Sequence, residues 1–493
     1  MKMKLILCIP ALLILFSGCN EHLLDITPSD RLSDATVWND SATANLFLND
    51  IYDNLNAGPY KSTWLNIPTQ IGNDPLADFT DDATYGPLGG NSYKLFDNSS
   101  YGPSNLLFST TWGKMYAGIR KCNLFIEKVS ASKFEDNTKK VMIAQARFLR
   151  AYFYKTLIDL YGGVPIITRV LDNITQGDSI FYPRSTYADG VSFIQTECEA
   201  AAQDLPTEWG ARDIGKATRG AALAMKGEEE LYAGKWQDAA TTNETIIQST
   251  VYSLFPDYAG LFYADNENNS EVIFDIQYAP NIRPKHINQY LGVPELSKGA
   301  GWGNCDPTQN LVDQYEYLDG KTAAEGSALY DGNDPYRHLG KRFYASIIYD
   351  GSVWRGKTIY TRLGIPNNPN EINVIGKSGN AGRTGYFMKK LQDSTISSVG
   401  GNLDGTNVII FRYAEVLLNY AEAQNEFNGP DQTVYDAINP LRERAGLPDL
   451  PIGLDKDQMR ERIRHERRIE LAFEGKRFYD IRRWRIADSL FKQ

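Results

Sequence analysis

The chain has 493 residues, of which 42% are hydrophobic and 23% are charged, and this balance is typical of a folded globular protein rather than a disordered one. Its length corresponds to about three domains of ~150 residues. The 51 Lys and Arg residues against 61 Asp and Glu residues give a formal net charge of -10, which argues against a nucleic-acid binder, because that affinity depends on a basic surface. Only 4 His residues are present, so neither a His-rich metal site nor a chain of His acid–base catalysts is predicted. No cofactor is predicted.

The N-terminus predicts export and a lipid anchor. Lys2 and Lys4 precede an apolar run over 5–16, which is long enough for a secretory signal but too short to span a bilayer as a helix. The following Ser-Gly-Cys ends at Cys19 and resembles a bacterial lipoprotein box, so we expect residues 1–18 to be removed and Cys19 to be lipidated. The alternative is an ordinary signal peptide with a chance cysteine.

The first helical pattern covers 141–161, where apolar residues recur at spacings of three and four in two adjacent rows, which predicts a helix packed on two sides. In 216–247, Gly227 and Gly234 are followed by Trp236 and Ala239, a spacing that resembles a tetratricopeptide repeat. Further helices are predicted over 408–428, 433–445 and from residue 457 onward. The fold prediction is therefore all-α, with a tetratricopeptide-like scaffold of helical pairs.

Two regions interrupt this scaffold. Residues 251–407 contain 19 of the 41 Gly and 8 of the 22 Pro, and the segment 58–107 has a similar composition with several large aromatic residues. We predict that 19–250 is an N-terminal helical region carrying the smaller loop insert. Residues 251–407 are then a loop-rich ligand-binding insertion, and 408–493 form a C-terminal helical region. Loops on a rigid scaffold are where binding residues usually lie.

Catalytic motifs are missing from the sequence. It contains no GxSxG elbow, no HExxH helix and no complete phosphate-binding loop, and Cys122, Cys198 and Cys305 form no CxxC pair, so buried free thiols are predicted. A pair of carboxylates suited to glycoside hydrolysis leaves no spacing signature, so a surface glycan hydrolase remains the alternative to a non-enzymatic binding protein.

The C-terminal segment 457–485 contains rows of basic and acidic residues at helical spacing. One row holds Arg460, Arg464 and Arg468, and the parallel row holds Arg462, Glu466, Glu470 and Glu474. Mixed rows of this kind stabilise a helix and bridge to its neighbours, and nucleic-acid binding would favour the basic row alone.

Four segments resemble the SusD/RagB family. The strongest is 463–484 (IRHERRIELAFEGKRFYDIRRW); the others are 148–152 (FLRAY) with 161–165 (YGGVP), 411–418 (FRYAEVLL), and LDITP at 24–28 after the lipoprotein cysteine. One departure is that family members usually continue well beyond the Arg-Arg-Trp segment, whereas this chain ends nine residues after Trp484.

The resemblance implies a cell-surface lipoprotein of the outer membrane with no catalytic activity. It also implies a loop-rich face that binds an oligosaccharide, or a peptide in some members. The partner implied by the resemblance is a SusC-like TonB-dependent transporter, over which the lipoprotein sits as a hinged lid.

The ligand face is predicted from what a sugar needs, namely flat aromatic platforms with polar neighbours. Trp302 lies between glycines in 300–306 (AGWGNCD) and is the first candidate platform. The remaining candidates are Trp64 with Asp81 and Tyr85 in the smaller loop region, Asn304 beside Trp302, and Trp354, Tyr349 and Arg383 in the larger one. The alternative for each Trp is that it packs a loop against the scaffold.

Overall fold

The protein is described here from a computed structural model. The structure describes residues 37–56, 70–71, 74–86, 106–297, 301–365, 371–375, 377, 381–396 and 404–490. The signal segment 1–18, Cys19 and Trp64 lie outside these residues.

Helices form most of the regular structure. They are α1 Ser41–Asp53, α2 Leu106–Ala131, α3 Asp136–Tyr161, α4 Tyr187–Asp204, α5 Arg219–Tyr232, α6 Trp236–Gln248, α7 Ile287–Tyr290, α8 Gln309–Val312, α9 Lys341–Ser346, α10 Tyr413–Asn428, α11 Gln432–Ala445, α12 Lys456–Glu470, α13 Lys476–Arg483 and α14 Ala487–Leu490. Short 3-10 turns are at Asn54–Asn56, Leu76–Phe79, Gly177–Ile180, Gly260–Phe262, Ala264–Asn266 and Pro294–Ser297.

The strands are short and form two-stranded antiparallel sheets. They are β1 Gln70–Ile71, β2 Asp74–Pro75, β3 Ala83–Thr84, β4 Val272–Ile276, β5 Asp306–Pro307, β6 Ile347–Ile348, β7 Val353–Trp354, β8 Lys357–Thr358, β9 Phe387–Met388 and β10 Val408–Arg412. The pairs are β1 with β2, β3 with β5, β4 with β10, β6 with β9, and β7 with β8.

Helices α2 to α6 stack in chain order, each against the next. Helix α3 lies between α2 and α4, which explains why apolar residues cover so much of its circumference. Gly227 in α5 faces Asn243 in α6, where an added Cβ would approach the amide nitrogen to 2.6 Å, and Gly234 turns the chain with φ of 70°. The predicted all-α tetratricopeptide-like scaffold is confirmed.

The scaffold continues across the insertion, because α6 packs directly against α10. Helix α10 then contacts both α11 and α12, and the buried apolar residues of these helices form one core with those of α5 and α6. The prediction of a helix beginning at Val408 is wrong for its first residues. Residues 408–412 are strand β10, which pairs with β4, because β-branched and aromatic side chains favour a strand when a partner strand is present.

The three cysteines Cys122, Cys198 and Cys305 are buried free thiols, as predicted. None of the helices among the described residues is long and apolar enough to cross a membrane.

Candidate functional site

Strands β3 and β5 join the smaller loop region to the larger one. Ala83 pairs with Pro307 and Thr84 with Asp306. Just beyond this pairing, the Thr308 hydroxyl donates to the Asp81 carbonyl at 2.6 Å and the Thr308 amide donates to the Asp82 carbonyl at 2.9 Å. Residues more than 200 positions apart therefore meet, and these contacts bring Tyr85 into the region of the Trp302 loop.

The two loops touch at Gly86 and Gly303. A Cβ added at Gly86 would lie 1.9 Å from the Gly303 carbonyl oxygen, so no larger residue fits this backbone contact. Gly303 itself has φ of 52°, a left-handed conformation that favours glycine. The crossing of the two loops therefore requires a glycine at position 86, and the left-handed backbone after Trp302 favours a glycine at position 303.

Trp302 is partly exposed and is held by both its backbone and its ring. Its amide donates to the Gln289 carbonyl at 3.0 Å, and its ring centroid lies 5.9 Å from that of Tyr290 at an interplanar angle of 59°. The ring packs on a core that includes Ile287, Cys305 and Leu311. A ring fixed in this way loses little conformational entropy when a ligand stacks on it, which is the property a sugar platform needs.

Arg383 links the same two loops. Its backbone amide donates to Asp306 Oδ2 at 2.6 Å, and its guanidinium Nε donates to the Gly86 carbonyl at 3.1 Å. Burial raises the pKa of the Asp306 carboxyl well above its usual range, in spite of the opposing interactions with Arg383. The contacts place the partly exposed side chain of Arg383 at the junction that carries Tyr85 and Trp302.

Tyr85 and Tyr349 occupy different surroundings. Tyr85 is partly buried against the cluster of Leu76, Phe79 and Phe478. Tyr349 is partly exposed beside Tyr336, with ring centroids 4.5 Å apart.

Tyr349 belongs to a tyrosine cluster that sequence reasoning missed. Its other members are Tyr336, Tyr344 and Tyr386, and the Tyr336 and Tyr386 hydroxyls lie 2.8 Å apart. These tyrosines share no motif. In the sequence, the one indication of this cluster was the number of aromatic residues in a region rich in Gly and Pro.

The structure corrects three of the predicted ligand contacts, since their side chains are buried. Trp354 is 4% exposed and packs among Val293, Ile348, Ile359 and Phe387. Its ring therefore packs a loop against the protein interior, which was the alternative to a sugar platform. Asn304 is 1% exposed. Neither side chain is available to a ligand on the surface.

Asp81 is the third correction. Its two carboxylate oxygens accept hydrogen bonds of 2.9 and 2.8 Å from Arg477, and Arg468 lies 3.0 Å away. Burial alone would raise the pKa of the Asp81 carboxyl, but the hydrogen bond from Arg477 and the charges of both arginines outweigh it and lower that pKa. Asp81 therefore attaches the smaller loop region to the C-terminal helices.

A network of buried ion pairs, larger than the one around Asp81, attaches the loop-rich insertion to the scaffold. Arg412 donates to Glu271 at 2.7 Å, to Glu470 at 2.8 Å and to Glu474 at 2.6 Å. The network continues through ion pairs Arg444–Glu271, Arg444–Glu470, Arg342–Glu466, Arg342–Glu470, Arg442–Glu316, Arg442–Glu466 and Lys390–Glu474. Glu271, Glu316, Arg342 and Lys390 come from the insertion, and their partners come from β10, α11, α12 and the turn after it.

The electrostatics favour the charged state of Glu466, Glu470 and Glu474, because neighbouring cations lower the pKa of each carboxyl in spite of its burial. Burial alone would raise the pKa of Glu470, but Arg444, Arg412 and Arg342 reverse this effect and hold it well below its usual range. The prediction that the acidic row of α12 bridges to neighbouring elements is confirmed by these ion pairs. The most distinctive segment of the sequence thus positions the loop-rich insertion.

Metal binding finds no support in the described part of the chain, where no group of three or more His, Cys, Asp or Glu side chains is arranged to hold an ion. What these residues form is a helical-repeat scaffold that carries a loop face with a fixed, partly exposed indole ring.

Comparisons with known proteins agree with this class. The family model described as "SusD family" matches residues 270–493, and the model described as "Starch-binding associating with outer membrane" matches residues 82–227. A SusD-like protein from Bacteroides fragilis is 31% identical with a TM-score of 0.79, over 93% of this chain and 89% of that chain. A SusD-like carbohydrate-binding protein from the same species is 29% identical with a TM-score of 0.82 and the same coverage.

Among curated relatives, SusD-like protein P2 of Formosa agariphila is 26% identical over 97% of this chain and 90% of its own length. The chain belongs to the SusD/RagB family, as the sequence resemblance predicted.

Proposed function

We propose that this protein is an outer-membrane lipoprotein that binds oligosaccharides on the face formed by Trp302, Tyr85 and Arg383. It then delivers them to a SusC-like TonB-dependent transporter. The observation that carries the proposal is the junction of the two loop regions at Gly86 and Gly303, which holds a partly exposed indole ring next to polar groups. The similarity to a SusD-like carbohydrate-binding protein supports the ligand class.

The binding step rests on the chemistry of the ring. A pyranose presents C–H groups on one face and hydroxyls around its edge, so an indole provides apolar contact while Arg383 donates hydrogen bonds at the edge. Replacing Trp302 by Ala removes the platform, and because the ring is partly exposed the substitution is expected to cost less stability than the loss of a buried ring. We expect Trp302→Ala to weaken binding about tenfold or more, which corresponds to ~1.4 kcal/mol.

Isothermal titration with a panel of neutral hexasaccharides tests this step. Trp354→Ala is the matched control for the loss of an indole, and it is expected to change stability rather than the contact surface. Unchanged affinity of a folded Trp302→Ala variant would remove Trp302 from the site, and binding of peptides instead of saccharides would identify a peptide receptor of the same family. Release of reducing ends that a single carboxylate substitution abolishes would identify a hydrolase.

The location and the partner are tested separately. Lipidation at Cys19 would confine the protein to the membrane and raise its effective concentration beside a transporter in the same membrane. Cys19→Ala is expected to abolish surface display, and unchanged display contradicts the anchor. Purification from detergent-solubilised membranes is expected to recover a large TonB-dependent barrel, and repeated recovery of the lipoprotein alone contradicts the partnership.

A further inference from the structure

The scaffold carries a second concave surface, formed by other elements than those of the Trp302 face. A groove with a volume of about 470 Å³ lies between α6, α10, α11 and the segment that follows α6. Its lining combines the aromatic side chains of Tyr252, Tyr413 and Tyr420 with polar side chains from two walls. Grooves of this size are typical of small-ligand sites.

The floor of the groove comes from α10. Tyr413, Leu417 and Tyr420 lie at positions i, i+4 and i+7, so they share one face of the helix. The Tyr420 hydroxyl donates to Thr433 Oγ1 at 2.8 Å, whereas the half-buried Tyr413 hydroxyl makes no hydrogen bond to any residue that the structure describes. A half-buried hydroxyl without a protein partner is available to a ligand.

The walls provide hydrogen-bond acceptors on both sides. Glu244 lies on α6 and Asp436 on α11. One oxygen of each is used within its own helix, where Gln248 donates to Glu244 Oε1 and Gln432 donates to Asp436 Oδ1, both at 2.9 Å, and no described residue donates to the second oxygen of either carboxylate. Pro440 adds an acceptor, because it has no N–H to donate to the carbonyl of Asp436 four residues earlier. Among the described residues that line the groove, the charged ones are Glu244 and Asp436, and both are acidic.

We propose that this groove is a second carbohydrate-binding site, selective for neutral oligosaccharides. Tyrosine rings match the apolar face of a pyranose, and carboxylate and carbonyl oxygens accept from its hydroxyls. The two carboxylates disfavour uronic acids and sulfated sugars in this groove, because the described residues that line it include no cation.

The inference extends the proposed function to a separate surface, so its test is made in the Trp302→Ala protein. The probes are maltohexaose, laminarihexaose, cellohexaose and xylohexaose, with hexagalacturonate as an anionic probe and hexalysine as a cationic peptide. Isothermal titration is expected to show residual binding of a neutral hexasaccharide and none of hexagalacturonate. Adding Tyr413→Phe or Asp436→Asn is expected to weaken that residual binding about fivefold, the effect of one lost hydrogen bond.

Tyr182→Phe is the matched control, since it removes a tyrosine hydroxyl far from the groove in sequence, and it is expected to leave the affinity unchanged. Absence of residual saccharide binding overturns the inference, as does residual binding that Tyr413→Phe and Asp436→Asn leave intact. Binding of hexalysine alone would also overturn it. Saccharide binding that depends on Tyr413 but not on Trp302 would support the groove and refute the Trp302 face, so the two proposals fail independently.

Discussion

The buried charge network around Arg412 makes the sharpest stability prediction. The Arg412 side chain is 1% exposed, and those of Glu271 and Glu470 are fully buried. Arg412→Met keeps a long apolar side chain but removes the cation that these glutamates share with Glu474. Breaking a buried ion pair by removing one partner costs about 3–5 kcal/mol, because the remaining charge is left uncompensated.

Arg462→Met is the matched control. Arg462 pairs with Glu325 at 2.8 Å on the surface, where the two side chains are 32% and 35% exposed. An exposed pair of this kind contributes at most about 1 kcal/mol. The two variants therefore delete the same side-chain type and differ mainly in burial.

Thermal unfolding followed by far-UV circular dichroism measures the difference. A cooperative unit of about 150–250 residues loses roughly 2–4 °C in Tm per kcal/mol and a larger unit loses less, so Arg412→Met is expected to lower Tm by at most about 6–20 °C. The deficit is expected to shrink at acidic pH. Glu470 and Glu474 have pKa values below the unfolded value of about 4.3, so the stability they contribute is present above that pH and is lost as the pH falls through their lower folded values.

Equal Tm values for Arg412→Met and Arg462→Met at neutral pH would refute the reasoning that the network holds the insertion in place. A deficit that stays constant down to acidic pH would show that lost packing, and not charge, is responsible.

Two further predictions concern single side chains. Trp354→Ala is expected to destabilise the protein by about 3–5 kcal/mol, because the ring is buried, whereas Trp302→Ala changes thermal stability little; comparable Tm losses would contradict the different placements of the two rings. Burial and the neighbouring Asp159 raise the pKa of Glu229 to about 8, so its contribution to stability is complete below the unfolded pKa of about 4.3 and is lost as the pH rises towards 8. Glu229→Gln imitates the protonated acid and is expected to stabilise the protein more at pH 8.5 than at pH 5, as denaturant unfolding at both pH values would show; a pH-independent effect would contradict a protonated Glu229.

Local patterns in the sequence predicted the scaffold well. The spacing of Gly227, Gly234 and Trp236 reports a packing requirement between neighbouring helices, and the structure meets it with the approach of α5 and α6. Apolar spacing gave the wrong secondary structure where a segment pairs with a strand that is distant in the sequence. Val408–Arg412 continue an apolar spacing into α10, but their pairing with Val272–Ile276 across the insertion makes them a strand.

The site was harder to predict because exposure depends on the tertiary fold. In the β7–β8 hairpin, neighbouring side chains alternate between faces, so Val353 is 65% exposed while Trp354 is buried, and nothing local indicates which face is inside. Asp81 looked like a polar group beside an aromatic platform, but its partner Arg477 lies 396 residues away in the chain. For Trp302, the neighbouring glycines predicted a free backbone with room for an exposed ring, and the ring is partly exposed in the structure.

The direct contact between α6 and α10 has a consequence for how such proteins diversify. Helices α6 and α10 pack directly against each other although the insertion lies between them in sequence, and β4 and β10 bring the two ends of the insertion together. We therefore expect that a different loop region can be grafted here without rebuilding the helices. The grafted region would have to keep the insertion residues that form ion pairs with the scaffold, namely Glu271, Glu316, Arg342 and Lys390. We expect chimeras that keep these four positions to fold, because each position supplies one partner of a buried ion pair with the scaffold.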